Sequence, residues 1–339
     1  MTNTTFLVPP CVGVSPAAFL EFVQPDLVRV EARLQEDVGR EDRLVALVAR
    51  HLLLAGGKRL RPAMVALAAR AVEPDCDGAR IAVIGAVVEF VHMATLVHDD
   101  VVDDTATRRG KPTANAVFGN GAAVLSGDYI LARAMRLLAI DGDLRLFRTV
   151  AEITAEMSEG EVMEIAATGR ADLPIAEYTE IVRKKTAAFV EGCCRCGAVV
   201  AHADESTEEA LGRYGYSLGM AFQIADDLLD YTGDPEVTGK PRGTDLRDGR
   251  ATLPFLLAMP AATESERAQL LSALGNDRLD EAGFHATFAI LEEHGAFDRT
   301  RAEAREYVDQ ANQALSQLPA SLSADCLTML TEFVVQRDR

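Results

Sequence analysis

The sequence predicts an all-α fold, and two observations carry the prediction. The first is proline placement: four of the 13 prolines lie within residues 1–25, and the tracts 26–61, 75–111, 113–173 and 175–234 contain none. Because proline is the residue that most reliably interrupts a helix, each tract can form one or more helices. The second is composition: Ala, Leu, Arg and Glu, all good helix formers, dominate these tracts, and alternating strand patterns are scarce. We therefore expect a bundle of about ten or more helices.

The same pattern predicts the domain organisation. Residues 1–25 are expected to form a loose N-terminal leader, and residues 26–339 a single helical domain. Turn signals occur at 73–75, 141–143 and 233–235, but none of them has the composition of a linker. With 48% hydrophobic residues the chain can bury one large core, although a length of 339 residues also allows two domains.

Charge, cysteine content and hydropathy exclude several classes of protein. The 34 Lys and Arg against 52 Asp and Glu give a net charge of −18, which disfavours nucleic acid as a partner. Six cysteines in this length do not form a disulfide scaffold, so reduced thiols in a cytoplasmic protein fit better. The first residues lack the basic start of a signal peptide, and no run of about 18 uninterrupted apolar residues predicts a transmembrane helix.

An acidic motif of the form D-D-x-x-D occurs twice, each time after a mostly apolar stretch. The first copy contains Asp99, Asp100 and Asp103, and the second contains Asp226, Asp227 and Asp230. On a helix, residues three and four apart share a side, so each copy predicts three carboxylates on one side near the end of a buried helix.

Crowded carboxylates repel one another, so two such clusters indicate a cation that neutralises them. The ligands offered are all oxygen atoms, which favours Mg²⁺, or Mn²⁺, over zinc. Mg²⁺ typically binds one or two carboxylates and completes its shell with water and phosphate oxygens, so the pair of motifs is suited to holding a diphosphate. The alternative is an acidic surface face that repeats by chance.

Basic residues form islands beside these motifs. They occupy residues 56–62, 108–112, 183–186 and 239–250. Arginine matches phosphate geometry through its guanidinium fork, and lysine offers a point charge. Acids and bases at one site together predict a metal–diphosphate ligand, although any one island alone could be a solvated helix end.

Five motifs in order resemble the trans-isoprenyl diphosphate synthases, or polyprenyl synthetases. They are GGKRLRP, HDDVVD followed by RRGKPT, KKT, FQIADDLLD, and GKPRGTDLRDGRATLP, between about residues 50 and 260. The resemblance implies an isoprenoid-synthase-type helical bundle around a central cavity, usually a homodimer, with the two aspartate motifs facing each other across the cavity mouth.

The resemblance also implies roles for individual residues. Metal ligands would be Asp99, Asp103 and Asp226, supported by Asp100, Asp227 and Asp230. Isopentenyl diphosphate would be held by Lys58, Arg61, His92 and Arg109, although His92 could instead be a core histidine. The allylic diphosphate would be held by Arg108, Lys185, Thr186, Gln223 and Lys240, of which Lys185 and Lys240 would also serve the chemistry.

The reaction implied is head-to-tail 1'-4 condensation. Mg²⁺ and basic side chains assist the departure of the allylic diphosphate, the isopentenyl double bond attacks the cation, and the released diphosphate accepts a proton. The resemblance implies that Ala94 and Thr95, five and four positions before the first aspartate, help to set product length. Neither is aromatic, which favours a long polyprenyl product over the alternative of farnesyl or geranylgeranyl diphosphate.

Four other interpretations fit the sequence less well. A class I terpene cyclase would carry an Asn/Ser/Glu-type second motif, whereas Asp226–Asp230 repeats the first. A regulatory subunit would show a degraded aspartate motif, and both are intact. A ferritin-like di-iron bundle would need paired Glu-x-x-His ligands, which the motif region lacks. The cysteines of the C-C-x-C segment, Cys193, Cys194 and Cys196, are expected to be small packing residues rather than metal ligands, since no fourth ligand lies nearby.

Overall fold

The structure is a computed structural model that describes residues 16–38, 44–55, 59–108, 110–235 and 241–335. Almost all of the regular structure in these ranges is helical, as predicted. The helices are α1 (Pro16–Val38), α2 (Leu44–Ala55), α3 (Leu60–Val72), α4 (Gly78–Val102), α5 (Ala114–Phe118), α6 (Asn120–Asp141), α7 (Leu144–Ala167), α8 (Ile175–Val182), α9 (Ala188–Val200), α10 (Glu205–Thr232), α11 (Thr244–Arg247), α12 (Leu253–Ala258), α13 (Glu264–Ala273), α14 (Glu281–Glu293), α15 (Ala296–Leu315) and α16 (Leu322–Val335). Strands β1 (Thr107–Arg108) and β2 (Lys111–Pro112) form one short antiparallel pair.

The start of the first helix differs from the predicted leader. Helix α1 begins at Pro16 and continues through Pro25, so the last ten residues of the expected loose segment are helical. Proline is tolerated in a first helical turn, where its missing N–H has no partner to lose, and this accounts for the start at Pro16. Residues 1–15 lie outside the described residues, and the boundary of a catalytic domain at residue 26 stays a prediction.

The chain groups into two compact units, and each has its own core. The first comprises residues 1–154, 192–211 and 318–327, and the second comprises residues 155–191, 212–317 and 328–339. Helix α4 is the centre of the first unit and packs against α1, α3 and α6. It begins at the cap residue Asp77, whose carboxylate accepts the Ala79 N–H at 2.8 Å, and it ends at Val102, within the first acidic motif.

Helix α4 also explains the hydropathy of the chain. Among the described residues it is the one helix long and apolar enough to cross a membrane by length and composition. However, 72% of its apolar window is buried inside the protein, as is usual for the central helix of a globular core. The sequence expectation rested on uninterrupted apolar runs, which Glu89 and His92 break. We therefore interpret α4 as a core helix.

The second unit packs around a large cluster of apolar side chains from α10, α12, α14 and α15. Tyr231 of α10 stacks on Phe284 with ring centroids 6.4 Å apart, and it also contacts Phe297. Helices α8 and α9 are joined by a π-helical turn, Arg183–Ala187, which holds the predicted Lys-Lys-Thr motif. Single π-turns inside helices frequently mark functional positions, because they re-aim the side chains they carry.

Two glycines allow neighbouring helices to approach this π-turn. A Cβ atom at Gly160 of α7 would lie 2.7 Å from the backbone nitrogen of Lys185. A Cβ atom at Gly219 of α10 would lie 2.6 Å from the Cα of Ala187. Since real Cβ contacts are essentially never that short, any other residue at either position would push the π-turn away from α7 or α10.

Candidate active site

The first acidic motif lies where α4 ends, as predicted. Asp99 is half-buried, whereas Asp103 is the exposed residue that caps the carboxyl end of the helix. Asp100 differs from the prediction, because it is not on the open side of the helix with the other two. Its side chain is 2% exposed and accepts the Arg108 Nε–H at 2.8 Å. The motif therefore has two accessible carboxylates, and a third that is buried and bonded to Arg108.

Asp100 connects the end of α4 to the β1–β2 hairpin. Its carboxylate holds Arg108 of β1, and its carbonyl oxygen accepts the Asn115 side-chain amide at 3.0 Å. The same amide lies 3.2 Å from the Thr105 carbonyl oxygen. Arg108, predicted to contact the allylic diphosphate, is thus held beside the first motif by the residue next to Asp99.

The predicted isopentenyl diphosphate residues come together in part. Arg61 of α3 lies beside His92 of α4, with Arg61 Nη1 3.1 Å from His92 Nε2. Because a guanidinium can only donate, His92 accepts through Nε2, which requires that nitrogen to be unprotonated. His92 is therefore engaged by a basic side chain. Lys58 and Arg109 lie outside the described residues.

Arg59 is a neighbour that the sequence did not single out. It has a left-handed backbone, with φ at 48°, although it is not glycine. Its guanidinium donates to Glu89 at 2.5 Å and to Glu31 at 3.1 Å, and the Glu89 side chain is buried. These two ion pairs hold the backbone immediately before Arg61 in a conformation that an unsupported arginine would avoid.

The second motif repeats the division seen in the first. Asp226 is exposed, whereas Asp227 is 4% exposed. Asp227 accepts the Tyr178 hydroxyl at 2.6 Å and the Gln223 amide at 2.8 Å, and Gln223 in turn accepts the Thr186 hydroxyl at 2.9 Å. Burial raises the pKa of the Asp227 carboxyl well above its usual value, and the nearby Asp245 adds to the rise.

Asp230, the third acid of the second motif, contacts the chain that follows. Its two carboxylate oxygens accept the backbone N–H groups of Thr244 and Asp245, each at 3.1 Å. Those groups begin the short helix α11, so Asp230 serves as a cap for that helix from a distance of 14 residues. Asp230 therefore differs from Asp103, its exposed counterpart in the first motif.

Lys185 lies in the π-turn and is held by two acids of α7. Its Nζ is 2.8 Å from Glu161 and also contacts Glu164. Burial alone would lower the pKa of this ammonium, but the two carboxylates raise it, so Lys185 stays charged at neutral pH. Glu164 also lies 3.9 Å from Arg250, which pairs with Asp245 at 3.3 Å.

Most of the other predicted basic residues are used within the fold. Arg183 pairs with Glu156 and Glu180, and Lys184 pairs with Glu159. In the island after the second motif, Arg242 donates to the Gly233 carbonyl oxygen, and Arg247 contacts the Arg242 carbonyl oxygen and lies over the Phe284 ring. Lys240 lies outside the described residues.

Besides Arg59, the sequence does not predict three further neighbours of the site. They are Glu161, Glu164 and Tyr178, and all three act on residues more than 20 positions away. A signal existed for two of them, since Glu161 and Glu164 are three apart and therefore share a helix face. Nothing in the sequence near Tyr178 distinguishes it from an ordinary core aromatic.

The predicted chain-length residues lie within α4. Ala94 is buried, and Thr95 is half-buried with its hydroxyl bonded to the His92 carbonyl oxygen at 2.9 Å. The cysteines of the C-C-x-C segment are reduced and fully buried, as expected of packing residues. Burial raises the pKa of Cys193 to about 12, which keeps its thiol protonated and unreactive.

Comparisons with known proteins identify the class and then the family. The structure matches a decaprenyl diphosphate synthase from Rhodobacter capsulatus with a TM-score of 0.89 and 36% identity, covering 95% of this chain and 99% of the other. It matches a polyprenyl synthase from Caulobacter crescentus, solved with calcium and isoprenyl diphosphate, with a TM-score of 0.88 and 36% identity, covering 97% and 100%. Both are all-helical prenyltransferases, and this chain is an enzyme of that class.

The family follows from the sequence matches. The family model described as polyprenyl synthetase matches residues 42–291. The octaprenyl diphosphate synthase of Escherichia coli is 38% identical over 324 residues, covering 94% of this chain and 98% of that protein. The chain belongs to the polyprenyl synthetase family, which confirms the resemblance drawn from its five motifs.

Proposed function

We propose that the protein elongates an allylic diphosphate by head-to-tail 1'-4 condensation with isopentenyl diphosphate, and that its product is a long all-trans polyprenyl diphosphate. One observation carries the proposal. In a member of this family both acidic motifs are intact, and in each the first aspartate is accessible while the second is held inside its unit by hydrogen bonds. A cyclase or an inactive subunit would have no reason to keep both arrangements.

We propose that the protein binds Mg²⁺, for which Mn²⁺ can substitute. The aspartate carboxylates of the two motifs offer the oxygen ligands that such a divalent cation prefers. Asp99 and Asp103 would hold it at the first motif and Asp226 at the second. Two carboxylates or fewer at each motif suit Mg²⁺, which completes its shell with water and phosphate oxygens. When bound, such an ion withdraws charge from the diphosphate and eases its departure.

The protein's own residues would bind and orient the two substrates. Arg108, which Asp100 holds, and Lys185, which Glu161 and Glu164 hold, would each donate to the allylic diphosphate. Arg61 and His92 would hold isopentenyl diphosphate. The Thr186–Gln223–Asp227–Tyr178 hydrogen-bond chain would fix the π-turn against α10, so that Lys185 and Asp226 keep their positions during the reaction.

We further propose a homodimer. Helix α6 and the start of α7 expose large apolar side chains within the first unit, among them Leu125 at 66%, Ile140 at 66% and Leu144 at 81%. Exposed apolar residues that group on neighbouring helices mark an interaction surface. Analytical ultracentrifugation of the wild-type protein should give a molecular mass about twice the 36.5 kDa of one chain. A Leu125→Glu variant should sediment as the monomer, and a wild-type monomer would contradict the proposal.

We also propose a cytoplasmic location, which fits the buried, reduced cysteines.

The function is tested with the purified full chain, labelled isopentenyl diphosphate and each allylic primer. We expect incorporation into long polyprenyl products that stops on adding a chelator and resumes with Mg²⁺. Products of three or four isoprene units would support the short-chain alternative. Consumption of the primer alone, without isopentenyl diphosphate, would support a cyclase and overturn the proposal.

Product length is tested at Ala94. Because Ala94 is buried on α4, Ala94→Tyr should place a ring in the path of the growing chain and shorten the product by one or more isoprene units. Overpacking should also cost about 1–3 kcal/mol of stability. Ala94→Ser, which changes the volume little, is the matched control and should leave the product unchanged. If the tyrosine variant folds and makes products of unchanged length, Ala94 has no part in setting the length.

A further inference from the structure

Helices α4 and α6 of the first unit pack against each other and are joined by a polar contact near each end. At the amino end of α4, Arg80 donates from Nε and Nη2 to Asp141, the last residue of α6, each at 2.9 Å. Near the carboxyl end of α4, His98 lies against the first turns of α6. The first contact is far from any motif, whereas the second directly precedes Asp99, a predicted metal ligand.

The His98 ring is oriented by two acceptors on α6. Its Nε2 lies 3.2 Å from the Val124 carbonyl oxygen and 3.4 Å from Asp128 Oδ1. Since a carbonyl oxygen only accepts, Nε2 carries the hydrogen. The neutral ring in this tautomer and the charged ring both donate there, so the contact does not depend on the protonation state. With Nε2 directed at α6, the ring does not bind a cation through that nitrogen.

Gly127 provides the space for this ring. It lies between the two acceptors in sequence and is buried in α6. A Cβ atom at Gly127 would lie 2.4 Å from His98 Nε2 and 2.8 Å from His98 Cδ2. Glycine inside a helix is destabilising relative to alanine, so its presence in α6 needs a reason. The close approach of the imidazole supplies one, because any larger residue at 127 would displace the ring.

The contact lies where α4 needs support. The last turn of a helix frays easily, because its carbonyl groups lack partners within the helix. Asp99 lies in the last turn of α4, which ends at Val102. Both sequence neighbours of Asp99 are tied to other elements, His98 to α6 and Asp100 to Arg108 of β1. Successive residues of a helix point about 100° apart, so the two ties hold the backbone at Asp99 from different directions.

We propose that His98 is a positioning residue for the first acidic motif. Its Nε2–H, seated over Gly127, holds the end of α4 against α6 and thereby orients the Asp99 carboxylate toward the divalent cation. His98 itself contacts neither the cation nor a substrate. The inference rests on the proposed function, in which Asp99 is a metal ligand. Groups that orient a metal ligand in this way typically change metal affinity about 10–100-fold when they are lost.

Metal binding is measured directly, without turnover. The full-length, substrate-free protein is titrated with Mn²⁺, and the electron paramagnetic resonance signal of the free ion gives the dissociation constant. The part of the binding that Asp99→Asn removes belongs to the first motif. We expect His98→Ala to weaken that part about tenfold. His98→Gln, whose side-chain amide can donate to the same carbonyl oxygen, should bind within about threefold of the wild type.

Two further variants separate positioning from general stability. Gly127→Ala keeps the imidazole but displaces it, and should also weaken Mn²⁺ binding about tenfold. Arg80→Gln, the matched control, removes the polar contact at the other end of the same two helices. It should lower the melting temperature at least as much as His98→Ala does, because the Asp141 carboxylate that it leaves is mostly buried. Its Mn²⁺ binding and kcat should stay within about twofold of the wild type.

Steady-state rates give a second measurement. His98→Ala should raise the Mg²⁺ concentration for half-maximal activity about tenfold, while the KM for isopentenyl diphosphate stays within about twofold. Mn²⁺ binding that falls in Asp99→Asn but not in His98→Ala would overturn this inference alone. Equal losses in His98→Ala and Arg80→Gln, or no recovery in His98→Gln, would also overturn it. Binding that Asp99→Asn does not change would overturn the metal role of Asp99 in the proposed function, and this inference with it.

Discussion

The two acidic motifs have the same sequence pattern but different surroundings. In both, the second aspartate is buried and bonded within its unit: Asp100 to Arg108, and Asp227 to Tyr178 and Gln223. The third aspartate differs, because Asp103 is exposed at a helix end whereas Asp230 caps α11. A repeated motif therefore does not mean repeated roles. The second position is buried in both copies, and the third is fully exposed only in the first.

The support around each motif differs as well. The first motif uses a partly exposed arginine on a short hairpin, with the Arg108 side chain 39% exposed. The second motif uses buried neutral donors, and its neighbouring Lys185 is held by two carboxylates. Although Arg108 is partly exposed, the Asp100 carboxylate that it holds is buried, and a buried charge left without its partner costs more than a lost neutral hydrogen bond. We therefore expect the loss of either support to destabilise its unit, and the loss of Arg108 to cost more than the loss of the Tyr178 hydroxyl.

The largest expected effect concerns the first aspartate of each motif. Asp99→Asn and Asp226→Asn should each lower kcat by about 1000-fold, because an amide is a much weaker metal ligand than a carboxylate. Neither change should alter the melting temperature by more than about 2 °C. Steady-state rates and thermal unfolding measure the two quantities. Asp104→Asn, an exposed acid just outside the first motif, should leave both unchanged. If one motif variant kept wild-type activity, the two motifs would not share their first-position role.

The next prediction compares the contacts that hold the second aspartate of each motif, Asp100 and Asp227. Tyr178→Phe removes the hydroxyl that donates to Asp227 inside the second unit, and should cost about 1–3 kcal/mol in the free energy of unfolding. It should also lower kcat about tenfold through the loosened α10. Arg108→Gln removes the charged partner of the buried Asp100 carboxylate at the first motif, and should cost about 3 kcal/mol or more while raising the KM for the allylic diphosphate. Urea unfolding of both variants gives the comparison. Equal losses of stability would show that the two supports do not differ.

The helices and motif positions could be predicted from sequence because they depend on local properties. Proline-free tracts rich in helix formers became helices, and both D-D-x-x-D motifs lie near the ends of helices. Helix spacing also placed the three acids of each motif near one another. It could not show that Asp100 and Asp227 are buried, because their partners Arg108 and Tyr178 come from other elements.

The missed contacts depend on distant parts of the chain, whereas the missed helix start is a local effect of proline. Glu161 and Glu164 meet Lys185 only because α7 passes the π-turn closely at Gly160. The helical residues 16–25 were expected to be loose because proline was counted as a breaker wherever it occurred.

The smallest expected effect tests the third positions. Asp230→Asn leaves one oxygen for two backbone N–H groups and turns an amide donor toward the other, so it should cost about 1 kcal/mol in the free energy of unfolding. Asp103→Asn, in an exposed position with no comparable contact given by the structure, should leave that free energy unchanged while lowering kcat at least about 100-fold. Activity of the Asp230 variant should fall less than about tenfold, since its carboxylate serves α11 rather than a cation. Parallel urea titrations and rate measurements decide the matter. A loss of activity at Asp230 as large as that at Asp103, with stability unchanged, would mean that Asp230 leaves α11 to bind the ion, and the difference between the two motifs would disappear once substrate is present.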